Sequence, residues 1–191
     1  MPPDNSDTSN LSGAAWWHSN QAKFPNVASL GGLDNGFRAK VEEFLAALRA
    51  ATIQVDISST RRNQHRAYLM HYSWDVANGF TQPAEVPLDS EVNIIWDHGN
   101  LQDSMGAAKE MVALFGLVHE AALNSRHIQG LAIDMNLTWR GTVRIRNKRG
   151  EMVEIDDRIA AAKNLPLHSV GASYSVFKLL SDAPHWSADG H

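Results

Sequence analysis

The chain has 191 residues, a formal net charge of −4 with histidine neutral, and no cysteine. Its length suits a single domain with its own core, and its charge gives no general attraction to nucleic acid or to an anionic membrane surface. The absence of cysteine excludes disulfides, thiolate metal sites and cysteine nucleophiles together. No run of about 18 apolar residues occurs, so we expect no membrane insertion.

The N-terminal residues are polar and lack the basic start and apolar run of a secretory signal. We therefore expect a flexible segment at residues 1–15 and a protein that is made in the cytoplasm without a signal peptide. Residues 16–191 are predicted to form one domain. It begins with an ordered surface arm over residues 16–35, where glycine, asparagine and aromatic residues are frequent.

Helices dominate the predicted elements of the next part of the chain. Apolar residues at helical spacing predict a helix over residues 37–51, with Asp34 or Asn35 as its cap. Another helix is predicted over residues 63–76. Between the two, residues 53–57 alternate apolar and polar side chains, which is typical of a strand.

The periodicity of the sequence changes after a long loop and one more helix. Residues 79–99 contain two prolines and are predicted to be the loop, whereas residues 105–123 have the clearest apolar helical face. Further predicted elements are strands at 131–139, 142–145, 152–155 and 173–180, a hairpin turn at 147–150 and a short helix at 157–164. Helices followed by a mainly antiparallel sheet predict an α+β fold with the helices packed on the sheet.

Two short motifs contain the candidate metal ligands. Residues 125–134 have the form S-x-H-x-x-G-x-A-x-D, which supplies His127 and Asp134. Residues 182–186 have the form D-x-P-H-W, which supplies His185. Two imidazoles and one carboxylate suit a catalytic zinc ion, because three protein ligands leave the fourth position open for water.

Hydrolysis at such an ion also needs a base and a positive group. Asp182 stands three residues before His185, and its carboxylate can take a proton from water that zinc has activated. Arg61, just past the predicted strand, is the first candidate for stabilising a developing oxyanion, and Arg62 is the alternative. The other histidines are interpreted as structural or surface residues, and no G-x-S-x-G motif of a serine hydrolase is present.

The two motifs, in this order, resemble those of the zinc D-alanyl-D-alanine carboxypeptidases and dipeptidases and of the phage L-alanyl-D-glutamate endopeptidases. These enzymes share a fold with the Hedgehog signalling domain, and the resemblance covers residues 55–186. It implies that His127, Asp134 and His185 bind zinc and that Asp182 is the general base. It also implies a Hedgehog/DD-peptidase-like fold.

The resemblance extends to candidate substrate contacts. It implies that an arginine at the position of Arg61 polarises the substrate carbonyl. Thr60 stands where the family has a tyrosine, which leaves the choice between Arg61 and Arg62 open. Ser125 is implied to contact the substrate or to support the site, and Trp186 is a candidate either for a substrate platform or for a wall of the core or cleft.

The sequence therefore predicts a zinc peptidase that hydrolyses a peptide bond in the stem peptide or cross-link of peptidoglycan. The D-x-P-H form favours an endopeptidase of the endolysin kind over a D-Ala-D-Ala carboxypeptidase. A non-catalytic, zinc-containing cell-wall binding module is the alternative from another class, and it would need neither Asp182 nor Arg61. We expect a monomer that reaches the periplasm or cell wall through a phage holin or a secretion system.

Overall fold

The structure, a computed structural model, describes residues 8–191. The α-helices are α1 (Ala14–Asn20), α2 (Asn35–Ala50), α3 (Gln64–Asn78), α4 (Leu101–Phe115), α5 (Arg126–Gln129) and α6 (Leu165–Ser173). The strands are β1 (Asn26–Val27), β2 (Gln54–Ser59), β3 (Arg61–Arg62), β4 (Ala132–Thr138), β5 (Thr142–Arg146), β6 (Met152–Asp156), β7 (Phe177–Lys178) and β8 (His185–Ser187). All pairs between these strands are antiparallel, so the chain has the α+β fold that the sequence predicts.

The chain divides into two compact units. Among the described residues, the first unit comprises residues 8–25 with Asn63–Asn124, and the second comprises Asn26–Arg62 with Ser125–His191. Every candidate site residue belongs to the second unit. No helix in the described part of the chain is long and apolar enough to cross a membrane. A single domain over residues 16–191 stays a prediction.

The first unit is built mainly from α1, α3 and α4. Trp16 and Trp17 on α1 are only 3% and 4% exposed, so this end of the expected surface arm lies in a core. The segment before α1 is tied to the same unit, because Ser12 N donates to Ile95 O at 2.9 Å. The flexible segment predicted at residues 1–15 thus includes anchored residues, and its first seven residues lie outside the described part.

Helix α4 is shifted from the prediction at residues 105–123. It begins four residues earlier because the Asn100 side chain caps it by accepting a hydrogen bond from Asp103 N. It ends at Phe115 because Gly116 adopts a left-handed conformation, with φ at 66°. The apolar residues that follow Gly116 continue the helical spacing in the sequence but lie outside the helix.

The second unit has a four-stranded sheet in the order β2-β4-β8-β7, with α2 and α6 packed beside it. Asp34 caps α2 by accepting hydrogen bonds from the backbone N–H groups of Gly36 and Phe37, as one of the two predicted caps. The predicted apolar face of α2 is buried in the core of the second unit, at Phe37, Val41, Phe44, Leu45 and Leu48. Strands β5 and β6 form the predicted hairpin.

The predictions after β6 are wrong in two places. The predicted helix at 157–164 is a bend with a short 3-10 helix, and the α-helix starts after it, at Leu165. Asn164 caps that helix by accepting from Leu167 N at 3.2 Å, and a proline in the first turn favours the same start. The predicted strand at 173–180 is reduced to β7, because α6 continues to Ser173 and Ser175 has φ at 60°, which is not an extended conformation.

Candidate metal centre

The three candidate ligands are brought together by two paired strands and one short helix. Asp134 on β4 lies directly opposite His185 on β8 in the antiparallel register, so both side chains are on one face of the sheet. His127 lies on α5, which ends at Gly130 with φ at 72° before the chain enters β4. A Cβ at Gly130 would lie 3.0 Å from both Asp34 N and Gly32 O, so this turn requires glycine.

The donor atoms of these residues converge on one point. His127 Nε2 lies 3.1 Å from Asp134 Oδ1 and 3.1 Å from His185 Nδ1. His185 Nδ1 lies 3.2 Å from Asp134 Oδ1. Tetrahedral zinc with bonds of about 2.0–2.1 Å separates its ligand atoms by about 3.3 Å, so the observed triangle fits such an ion. The His/Asp/His group can therefore hold a metal ion.

Both imidazole rings are oriented by backbone oxygens. His127 Nδ1 is 3.1 Å from Thr60 O, and His185 Nε2 is 3.1 Å from His191 O. When each of these nitrogens donates its proton to the oxygen, the nitrogen that faces Asp134 keeps a lone pair. This pairing of a remote ring N–H with an oxygen acceptor is the usual companion of a metal-binding histidine.

The charge of Asp134 is favoured by its neighbours. Burial raises the pKa of this carboxyl, but when the facing ring nitrogens carry protons, hydrogen bonds from His127 and His185 and the charges of those rings outweigh burial. The net pKa lies well below its usual range. Asp134 therefore offers an ionised oxygen to a cation at neutral pH.

Asp182 is linked to His185 through the backbone, and a nearby arginine interacts with the charges of Asp134 and Asp182. Asp182 is half-buried on the segment between β7 and β8, and its carbonyl accepts from His185 N at 3.2 Å. Arg62 is half-buried as well: burial lowers its pKa, whereas the charges of Asp134 and Asp182 raise it. Arg61, the first candidate from the sequence, is exposed. Neighbours along a strand point to opposite sides, so Arg61 and Arg62 cannot serve the same face.

The structure places the two candidate substrate contacts differently. The Ser125 hydroxyl lies immediately before α5, is buried, and has no hydrogen-bond partner within residues 8–191. Trp186 is 1% exposed and belongs to the core, with its ring centroid 5.4 Å from that of Phe44. Its indole packs in the core, and a substrate cannot stack on a ring that is covered in this way.

Sequence patterns did not reveal the residues that support the histidines. Thr60 is fully buried, and its Oγ1 lies 2.8 Å from Ser29 O. This contact fixes the position of the Thr60 backbone oxygen, which lies against His127 Nδ1. Arg126 forms a two-point ion pair with Asp189, and Asp189 Oδ1 accepts from His191 N at 3.3 Å. The oxygens that face the two histidines belong to the backbone of Thr60 and His191, so these pairings have no residue-type signature in the sequence.

A second group of possible ligands lies in the first unit. His71 Nδ1 is 3.0 Å from Glu120 Oε1, whereas its Nε2 is 3.8 Å from Asp75 Oδ2. His71 Nδ1 is also 2.9 Å from Ala121 O. The two carboxylates thus approach opposite sides of one ring and do not share a donor nitrogen. This is the arrangement of a histidine held by separate polar contacts, in agreement with its structural interpretation.

Comparison of the chain with protein-family models, with curated proteins and with solved structures found no match. The functional assignment therefore rests on the geometry of the second unit.

Proposed function

We propose that the chain is a zinc-dependent peptidase, with a Hedgehog/DD-peptidase-like fold, that hydrolyses a peptide bond in the stem peptide or cross-link of peptidoglycan. The observation that carries the proposal is the convergence of His127 Nε2, Asp134 Oδ1 and His185 Nδ1 within 3.2 Å of one another. Two imidazoles and a carboxylate without thiolate form a donor set that catalytic zinc sites use.

The residues around the ligands supply the remaining chemistry. A bound zinc ion supplies a Lewis acid that activates water near neutral pH. Asp182 accepts the proton of the attacking water and passes it to the leaving amine. The guanidinium of Arg62 donates hydrogen bonds to the carbonyl oxygen of the substrate as negative charge develops there.

The position of Arg62 supports its choice over Arg61. Arg62 interacts with the charges of both Asp134 and Asp182, so its guanidinium is within electrostatic range of a candidate ligand and of the candidate base. Partial burial strengthens its interaction with a developing oxyanion, because the local dielectric is lower than that of water. Arg61 is exposed to solvent and lacks this partial burial.

The choice of substrate rests on the motifs. The D-x-P-H form at Asp182 to His185 supports an endopeptidase, with a D-Ala-D-Ala carboxypeptidase as the alternative within the same chemistry. A zinc-containing wall-binding module is the alternative without turnover, and the base and guanidinium beside the ligands argue against it. Such a substrate places the action of the protein in the periplasm or cell wall.

Digestion of purified peptidoglycan sacculi tests the proposal. The zinc-loaded protein should release new amino termini, and mass spectra of the muropeptides should identify the broken bond. A carboxypeptidase would instead release free D-alanine, and a binding module would sediment with the sacculi without releasing either product. The Asp182→Ala protein is the matched control and should release products far more slowly than the wild type. A zinc-loaded wild type that leaves sacculi intact contradicts the proposal.

A further inference from the structure

Lys178 on β7 is a buried lysine that contacts no carboxylate oxygen of residues 8–191 directly. Its residue is 9% exposed, whereas lysine is almost never buried without partners. Its Nζ donates to three backbone oxygens, those of Leu179, Asp182 and His185, the last at 3.0 Å. An ammonium group has three N–H donors, so every donor of Lys178 has an acceptor.

These three oxygens belong to one short segment, residues 179–185, which we call the β7–β8 loop. Inside the loop, Leu179 N donates to His185 O at 3.1 Å and Asp182 N donates to Leu179 O at 3.3 Å. The loop therefore folds around the ammonium of Lys178, with its carbonyl groups turned inward. Two of the oxygens belong to Asp182 and His185, the base and a metal ligand of the proposed function.

The ammonium also lies within the electrostatic environment of the metal centre. The charges of Asp182 and Asp134 interact with it, and Nζ is 5.8 Å from the ring centroid of Trp186. Because all three donors point at backbone oxygens, Lys178 has no proton or lone pair to offer a substrate. Its action on the reaction must pass through the residues that it holds.

We propose that Lys178 is a positioning residue: its ammonium holds the β7–β8 loop so that the Asp182 carboxylate and the His185 imidazole face the metal together. The role of Asp182 in this statement rests on the proposed function. The effect on metal binding does not, because the position of His185 is the same whether or not a peptide is hydrolysed.

The Lys178→Met variant tests this role, because methionine keeps most of the apolar stem and removes the ammonium. Loss of a group that orients a metal ligand weakens metal affinity by about 10- to 100-fold, and we expect a loss of that size for zinc in competition with a chelator. The visible absorption of the Co²⁺-substituted variant should change as well, because it reports ligand geometry. On peptide substrate, kcat should fall with KM little changed.

Lys148→Met is the matched control. Lys148 is exposed, pairs with Glu43, and places its Nζ 5.9 Å from the ring centroid of Tyr174, so this variant also removes one positive charge beside an aromatic ring. It should keep wild-type zinc affinity and the wild-type Co²⁺ spectrum. If Lys178→Met shows both wild-type values too, Lys178 is only a structural residue and the proposal is overturned.

A second variant covers the case in which Lys178→Met does not fold. Lys178→Arg keeps the charge, but its planar guanidinium cannot direct three N–H groups to the same oxygens, so zinc affinity should again be weaker than in the wild type. Wild-type affinity in folded Lys178→Arg would then overturn the proposal. If the variants have altered zinc affinity but the wild type does not hydrolyse the peptide, the positioning role stands and the peptidase proposal is rejected. If the wild type is active and the variants bind zinc as it does, only the positioning role is rejected.

Discussion

Both histidines of the candidate metal centre use both of their ring nitrogens. His127 and His185 direct one ring nitrogen at the metal position and the other at a backbone oxygen, and both rings are almost fully buried. Asp134 brings a carboxylate whose charge the two rings favour. Removal of any one side chain therefore leaves buried polar atoms without partners as well as an incomplete ligand set.

The first prediction concerns the metal. Purified protein should contain about one zinc ion per chain, and His127→Ala or His185→Ala should reduce that content to nearly none, because each ring is one of only three protein ligands. Elemental analysis after dialysis measures this. His119→Ala, at an exposed histidine of the first unit, should keep its zinc. Full zinc content in both ligand variants would refute the site.

The second prediction concerns Asp182. Asp182→Ala keeps the backbone oxygen that Lys178 contacts, so zinc content and fold should persist, while kcat should fall by roughly 10²-fold or more because the base is gone. Steady-state kinetics on a stem-peptide substrate, together with metal analysis, measures both effects. Loss of zinc in this variant would instead make Asp182 a ligand.

The third prediction compares the two adjacent arginines. Arg62→Ala should lower kcat by roughly 10²-fold, the scale of losing one oxyanion donor, whereas Arg61→Ala should remain near wild type. The kinetics of both variants on the same peptide provide the measurement, and each variant is the control of the other. The opposite ranking would return the role to Arg61, the first candidate from the sequence.

At the scale of elements, the sequence predicts helices and strands with long periodic patterns better than short ones. Helix α2 was predicted because five apolar residues repeat at helical spacing after a capping aspartate. Strand β8 has three residues, which is too short for a period of two to stand out, yet it carries His185. The ligands were found from motifs of residue types, and Lys178 was missed because it acts on carbonyl groups that every residue has.

The fourth prediction concerns the ion pair between α5 and the segment after β8. Asp189→Asn weakens the contact with Arg126 that holds residues 189–191, so the oxygen that receives His185 Nε2 becomes less well placed. Zinc affinity should fall by about tenfold, at the lower end of the effect of such supporting groups. Asp156→Asn, which weakens the Asp156–Arg158 pair at the end of β6, should not change it. Equal affinity in the two variants would contradict the link.

At the scale of the whole molecule, the division into two units was not apparent from the sequence. Each unit is assembled from two separate stretches of chain, and single-sequence periodicity carries no information about which stretches pack together. The candidate metal centre lies entirely within the second unit, where residues from β4, α5 and β8 meet. A ligand that binds only the folded state stabilises it, so metal binding should act on the two units differently.

The fifth prediction tests this difference by hydrogen exchange. Removal of zinc with a chelator should lower the melting temperature and increase amide exchange in β4, β8 and α5, because a ligand at 100 times its Kd adds about 2.7 kcal/mol of stability. Amides of α3 and α4 should change much less. The His127→Ala protein should show no response to the chelator. Equal changes in both units would mean that they unfold together.

The oxygens that orient the two histidines have a further consequence for how the site tolerates mutation. Thr60 O and His191 O are main-chain atoms, and exchange of a side chain does not remove them. Any residue at position 191 presents the same acceptor to His185, and the side chain there is exposed. Two of the contacts that orient the histidines for a metal are thus made by backbone oxygens, so a comparison of residue identities cannot detect them.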